Sequence, residues 1–578
     1  MMICGIHAAP IDFLGEGLRA LALLLAISAL LGIIACGGGS SNNSNSTITG
    51  VSVSCNPTSI ESGQTSTCTA TVTGTGTFNT LVSWSASGGS IDTTGVFTAQ
   101  PVTAPNQVTI TAVSVQDTSK SGTATVTVTP VTTIAVSCTP TVIQSLQNSL
   151  CTATANGVVT NAVNWTSTIG VMSTSGQFTA PAVPSSTQVS ITATTQVTSV
   201  SGTATVTVNV NNTAPIAIDG GPTVNGGSIG YPNGAYVTAN VCVPKTNTCA
   251  TIDHVLVDTG SVGFRVLGYA LGSVSLTPQT ASDGNPMAEC YVAPTGYAWG
   301  SVALAQVQVS GEIASSIPIE VIAPSSIPAA PVACTSQTTG GALNTISALK
   351  AKAILGIGVF QQDCGNSCTT APQSTYFSCP LAGCAPLPAT IALQVSNPVA
   401  AFPNDNNGSE IQLPPLVAGG SQNAQGTLIF GIGTQSNNAL VGVTAYGVNS
   451  SGIFNSTYNN SAYPGSVSSG ANANYFLSPG ITGFPACMTT AYYCPSSQQT
   501  VSVTNSGTNG TSVSVSLAVD NGDTLVQSGK FAFSTLGGPG GNRTPGFVFG
   551  IPFFYGRNVF TALSGAGTPG GTGPYFAY

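Results

Sequence analysis

The sequence predicts an all-β chain: two small sandwiches in series, then one large β-rich unit. Three observations carry this expectation. A stretch of about eighty residues occurs twice near the N-terminus. Short runs rich in Val, Thr and Ile, broken by Gly, Asn and Pro, recur along the chain, which is the texture of strands and turns. One apolar run, Val255-Leu256-Val257, leads straight into Asp258-Thr259-Gly260-Ser261, an acid held in a tight glycine turn.

The repeat is specific. Cys55 and Cys68 recur as Cys138 and Cys151, Trp84 and Phe97 recur as Trp165 and Phe178, and the octapeptide Ser121–Val128 recurs unchanged at Ser201–Val208. Within that octapeptide Thr alternates with Ala or Val, as a half-buried strand requires. The Trp-Ser/Thr strand, the Gly-x-Phe-Thr-Ala turn and the Gly-Thr-Ala-Thr-Val strand resemble bacterial immunoglobulin-like domains, expected over 51–130 and 131–211. Each Cys pair is too close in sequence for a bridge between sheets, so it reads as a staple between neighbouring strands. Neither repeat gathers aromatic or acidic residues, so a rigid spacer is expected rather than a binding module. Asn211 to Pro215 reads as a short polar linker.

Composition excludes several functions. Only 4% of the 578 residues are charged and Lys and Arg number nine, for a net charge of −8. A nucleic-acid partner is therefore not expected, because phosphate neutralisation needs clustered bases. Gly529-Lys530-Phe531 lacks the hydroxyl of a phosphate-binding loop. Arg19 precedes the apolar run Ala20 to Ile34, which has the length of a signal-peptide core and is short for a membrane span. The run ends in Ile33-Ile34-Ala35-Cys36-Gly37, which resembles a bacterial lipobox. The resemblance implies a signal peptide over 1–35, lipidation of Cys36, a tether over 36–50 and anchorage in a lipid bilayer, with the chain at the bacterial outer membrane or cell surface. Sixteen Cys fit an oxidising compartment. Apart from Cys4 and Cys36 they fall into local pairs (55/68, 138/151, 242/249, 487/494), a distant pair (290/334) and a cluster at 364, 368, 379 and 384 whose pairing stays open. That cluster lacks paired CxxC spacing, and no metal or cofactor is expected.

The acid loop gains weight from its neighbours. Gly234–Val241 and Thr251–Val257 read as a strand pair entering it. Tyr297-Ala298-Trp299-Gly300-Ser301 reads as a flap hairpin with its returning strand, and Tyr297 and Trp299 are expected over the cleft. Ile354-Leu355-Gly356 and Val548-Phe549-Gly550 would close two lobes, with a last strand over Ile551–Val559 and an opening strand of the second lobe at Gly426–Gly433. With Asn404-Asp-Asn-Asn-Gly408 and Tyr493-Cys494-Pro495, these segments make 216–578 resemble the uncharacterised bacterial family DUF3443, itself similar to pepsin-like aspartic peptidases. The resemblance implies a bilobal double-β-barrel with Asp258 on the cleft floor. It also implies Thr259 as a bracing hydroxyl and Gly260 as backbone room.

Such chemistry uses two carboxyls that share one proton around a water. The second loop is expected at Phe476-Leu477-Ser478-Pro479-Gly480, with Ser478 in place of the acid, and Pro479 removes a backbone donor there. The expected function is therefore a cleft that binds peptide or protein with reduced or no proteolysis. An active endopeptidase that recruits Asp520 and a purely structural or adhesive protein are the alternatives. Asp520 and Asp523 read as a turn pair, Asp405 and Glu410 as loop acids. His254 is expected as a partly exposed strand residue, and Arg265 as a structural brace of the acid loop.

Overall fold

The computed structural model describes residues 46–578 apart from 182, 184, 197–198, 325 and 541–545. The expected signal segment and Cys36 lie outside the described residues. The chain divides into two compact units, one ending at Val131 and the other running from Thr132 to Tyr578.

The described part of the first unit is a β-sandwich. One sheet holds Thr47–Asn56, Thr65–Thr75, Ser90–Ile91 and Val96–Thr98. The other holds Ser59–Glu61, Val82–Ala86, Asn106–Ser114 and Ser121–Thr129. The apolar alternates of both sheets meet in one core around Phe97, Ile110, Val126 and Val128. Cys55 and Cys68 stand directly opposite each other on neighbouring antiparallel strands, with Cα atoms 4.0 Å apart. Gly95 has φ +89°, and a Cβ there would sit 2.3 Å from the Cys68 carbonyl oxygen, so the turn requires glycine.

The second unit begins with a sandwich that repeats these details. Cys138 faces Cys151, Phe178 is fully buried, and Gly176 packs below Trp165 as Gly95 does below Trp84. The expected linker at 211–215 is instead part of the fold. Buried Asn212 receives a hydrogen bond from Gln144 (3.0 Å) and donates one to the Phe430 carbonyl (2.8 Å). Thr213–Ile218 then pairs antiparallel with Ala424–Phe430. Polar side chains read as linker because their buried partners lie about two hundred residues away.

The remainder is bilobal, and the two lobes repeat one strand pattern. In the first, the hairpin Tyr236–Cys242 and Cys249–Asp258, stapled by Cys242–Cys249, delivers Asp258 into its turn. Val262–Leu267 leads away, and Ala353–Ile357 inserts between, parallel to the strand before Asp258 and antiparallel to the strand after it. Asp258 is level with Gly356. In the second lobe Phe454–Tyr458 and Ser461–Val467 form the hairpin and Asn474–Phe476 leads away. Phe547–Phe549 inserts with the same two orientations, Val467 level with Phe549. Gly356 and Gly550 are the crossing points. A Cβ on either would strike backbone, at 2.7 Å from the Gly263 oxygen and 2.1 Å from the Ala473 oxygen. Ile551–Phe554 is a single helical turn with Pro552 in its first positions, and only Arg557–Ala562 is the expected last strand.

Arg265 braces the first lobe as expected. It is fully buried and pairs with Glu289, Glu320 (3.1 Å) and Asp363 (3.2 Å), from two neighbouring strands and the loop after Ala353–Ile357. It also donates to the Val262 carbonyl (2.6 Å). Burial pushes all three carboxyls up, Glu320 to about 7, against the pull of the guanidinium. Arg265→Met would leave three buried acids without a counter-charge and is expected to cost about 3–5 kcal/mol in urea unfolding; a loss below about 1 kcal/mol would show that the acids are neutral on their own. The raised carboxyls hold protons that the unfolded chain releases, so their contribution favours the native state at low pH and is lost as pH rises from about 4.3 through the folded values. Glu320→Gln is expected to flatten the fall in melting temperature up to about pH 7.

Candidate active site

The structure brings Asp258-Thr259-Gly260 against Ser468-Ser469-Gly470, not against Ser478. The two loops interlock through reciprocal hydrogen bonds. The Thr259 amide donates to Ser469 Oγ (3.1 Å) and the Ser469 amide donates to Thr259 Oγ1 (3.0 Å). Each hydroxyl then donates across to the strand before the other loop, Ser469 to the Val257 carbonyl (2.7 Å) and Thr259 to the Val467 carbonyl (3.4 Å). Both side chains are buried.

This symmetry puts Ser468 at the position in its loop that Asp258 holds in the other. Its hydroxyl lies 3.0 Å from Asp258 Oδ1, which also accepts the amides of Gly260 (2.8 Å) and Gly470 (3.2 Å). Both glycines are required by close approach. A Cβ on Gly260 would lie 2.4 Å from Ser468 Oγ, and one on Gly470 would lie 2.5 Å from the Asp258 carboxyl carbon. Ser478 is exposed and begins the helical turn Pro479–Thr482, past the strand that leads away from the loop. The residue expected opposite Asp258, Ser478, is therefore not the one found there, which is Ser468. Two signals could have found it: Val467-Ser-Ser-Gly470 repeats the shape of Val257-Asp-Thr-Gly260, and Ser478-Pro479 is an ordinary helix start.

A cavity of about 720 Å³ opens above Asp258 between the lobes. Tyr231, Tyr291, Tyr475, Tyr492 and Phe547 supply aromatic wall, and Leu256 and Ile354 aliphatic wall. Met287–Ala293 and Gly296–Val309 form a hairpin, but Tyr297 and Trp299 do not line the cavity. Residues paired across an antiparallel ladder share a face, so Trp299 sides with Cys290 and Tyr297 with Val292, while Tyr291 sides with Ala298. Trp299 is buried on the far side, its indole N–H on the Pro328 carbonyl (2.9 Å) and its ring edge-on to Phe377. Tyr291, Ala293, Pro294 and Thr295 line the cavity instead. The Arg265 guanidinium lies 4.0 Å from the Tyr291 ring centre, tying this wall to the buried acids.

The other acids lie elsewhere. Asp520 accepts from Gln498 (3.1 Å) and Asp523 from Thr490 (2.8 Å), and neither lines the cavity. Asp405 and Glu410 are buried rather than solvated loop acids. His254 pairs with Asp219 (3.3 Å) and Asp253 (3.1 Å), and these carboxylates, Asp219 foremost, raise its pKa against its partial burial. The fourteen described cysteines form seven disulfides, which adds 364–368, 379–384 and 290–334 to the four local pairs.

Residues 208–578 match the family described as Protein of unknown function (DUF3443). The chain belongs to this family. No curated protein matches it. Among solved structures, the crystal structure of aspartic proteinase from Irpex lacteus is similar at 14% identity and a TM-score of 0.35, over 63% of this chain and 96% of that one.

The interlock predicts coupled losses. Thr259→Ala and Ser469→Ala should each cost about 1–3 kcal/mol, because each strands buried donors and acceptors of the opposite loop. The double variant should cost less than their sum by about 0.5 kcal/mol or more in denaturant unfolding; additive losses would show that the loops are held apart from this network.

Proposed function

We propose that the DUF3443 domain of this chain is a pepsin-like receptor, which binds an extended peptide or protein segment in its cleft without cleaving it. One observation carries the reading: the group facing Asp258 is the Ser468 hydroxyl. A shared-proton dyad needs two carboxyls, because one holds the proton while the other takes a proton from water. A serine hydroxyl keeps its proton near neutral pH, so it can neither act as the base nor trade a proton with its partner. Asp520, the acid that an active endopeptidase would have to recruit, is bound to Gln498 outside the cavity. The cavity walls favour a peptide, since tyrosines and aliphatic side chains offer apolar area with few fixed polar contacts.

We read the two N-terminal sandwiches as immunoglobulin-like spacers and the lipobox-like segment ending at Cys36 as a lipid anchor, so that the cleft stands off a bacterial outer membrane or cell surface. Among the described residues no helix is long and apolar enough to cross a membrane. Cys36→Ser is expected to move the chain from the detergent-soluble membrane fraction to the aqueous fraction. An unchanged distribution would remove the anchor from this reading.

The receptor reading is tested by restoring the missing acid. Wild type should leave a peptide library intact from acidic to neutral pH, Ser468→Asp should gain cleavage, and Ser468→Asp with Asp258→Asn should lose it again. Cleavage by wild type that Asp258→Asn abolishes would overturn the reading in favour of an active peptidase.

A further inference from the structure

The Asp258 carboxylate has one oxygen engaged and no counter-ion. Its side chain is nine-tenths buried at the cavity floor. Every described hydrogen bond to it ends on Oδ1: two amides and the Ser468 hydroxyl. Among the described residues no Lys, Arg or His lies within ion-pair distance of it. The fully buried cation Arg265 is surrounded by three acids of its own. Asp258 Oδ2 accepts no described hydrogen bond and is not closed off from the cavity, so it is open to a ligand's cation or donor.

The walls around it suit a cation on an apolar stem. Tyr231 and Tyr291 line the same cavity as Asp258. Leu256 and Ile354 lie beside them in the wall. Long basic side chains bury their methylenes against such surface and carry the charged head to an acceptor, and aromatic faces add attraction for that head. The other charged lining residue, Lys350, ends the helical turn Ile346–Leu349 and repels a cation placed beside it, which leaves Asp258 as the cationic subsite. The net charge of −8 draws cationic segments toward the chain at long range.

We propose that the cleft selects peptides carrying a lysine or arginine, whose charged head binds the free oxygen of Asp258 between Tyr231 and Tyr291. This rests on the receptor reading above and names its ligand class. The test uses the full-length chain and four sets of blocked, fluorescein-labelled heptapeptides with randomised apolar flanks, whose central residue is lysine, arginine, acetyl-lysine or norleucine. Anisotropy titrations should show the lysine and arginine sets binding roughly tenfold or more tighter than the two neutral sets, the size of one charge-assisted contact. Asp258→Asn should bring the four sets together, and raised salt should weaken only the basic ones. Equal binding of all four sets by wild type, or a basic preference that persists in Asp258→Asn, would overturn the inference and leave the receptor reading standing. Binding of none of the sets would overturn both. The wild-type comparison decides the matter even if the variant fails to fold.

Discussion

Everything at the cleft depends on the paired hydroxyls of Thr259 and Ser469. They sit 210 residues apart in sequence, yet each accepts the other's amide and donates to the strand that delivers the other's loop. Four hydrogen bonds in a buried setting are cooperative, because losing one partner strands the rest. They fix the height and rotation of the two loops together. Once that is fixed, Asp258 must meet Ser468, and the two lobes must leave a groove above the pair. The crossing glycines 356 and 550 serve the same end from behind, since only they let the inserted strand approach each loop closely enough to hold it.

Arg265 imposes the second constraint, on the wall rather than the floor. Its three acids come from separate segments, and its guanidinium packs against Tyr291 on the flap hairpin. A charge network of this kind is poor value as pure stability, because desolvation offsets most of its Coulomb energy. Its geometric demand is strict, however. The base of the hairpin, the strand after Asp258 and the loop near Asp363 must all arrive at one point. The position of Tyr291 over the cleft thereby follows from a salt-bridge cluster outside it.

Much of the molecule was legible in the sequence because its signals are local. The short Cys spacings and the Asp258 turn are each contained within a hairpin or single turn, and the eighty-residue repeat returns as a second sandwich. The errors share one cause: the deciding contact was distant. Ser478 follows two apolar residues and stands two before a glycine, so it mimics a loop, but only pairing with Phe547–Phe549 shows that Asn474–Phe476 leads away from the site rather than into it. Trp299 looks like a flap residue until the ladder with Cys290 assigns its face. Asn212 looks like linker until Phe430 is known to lie beside it. In each case residue type was read correctly and placement failed, since placement depends on strand register across long sequence separations.

On the proposed receptor reading, Ser468 is a working part of the site. An alanine there would leave Asp258 Oδ1 with two amide donors, and a second aspartate would set a like charge against it. Serine does neither. It adds a third donor to the same oxygen and so holds the carboxylate in one orientation with its other oxygen free. The loops around it still meet the full cost of close approach, with glycine at both 260 and 470 and buried hydroxyls at both 259 and 469. A hydrolase needs two carboxyls that can trade a proton. The receptor proposed above needs one carboxylate held in place, and the three donors on Asp258 Oδ1 agree with that reading.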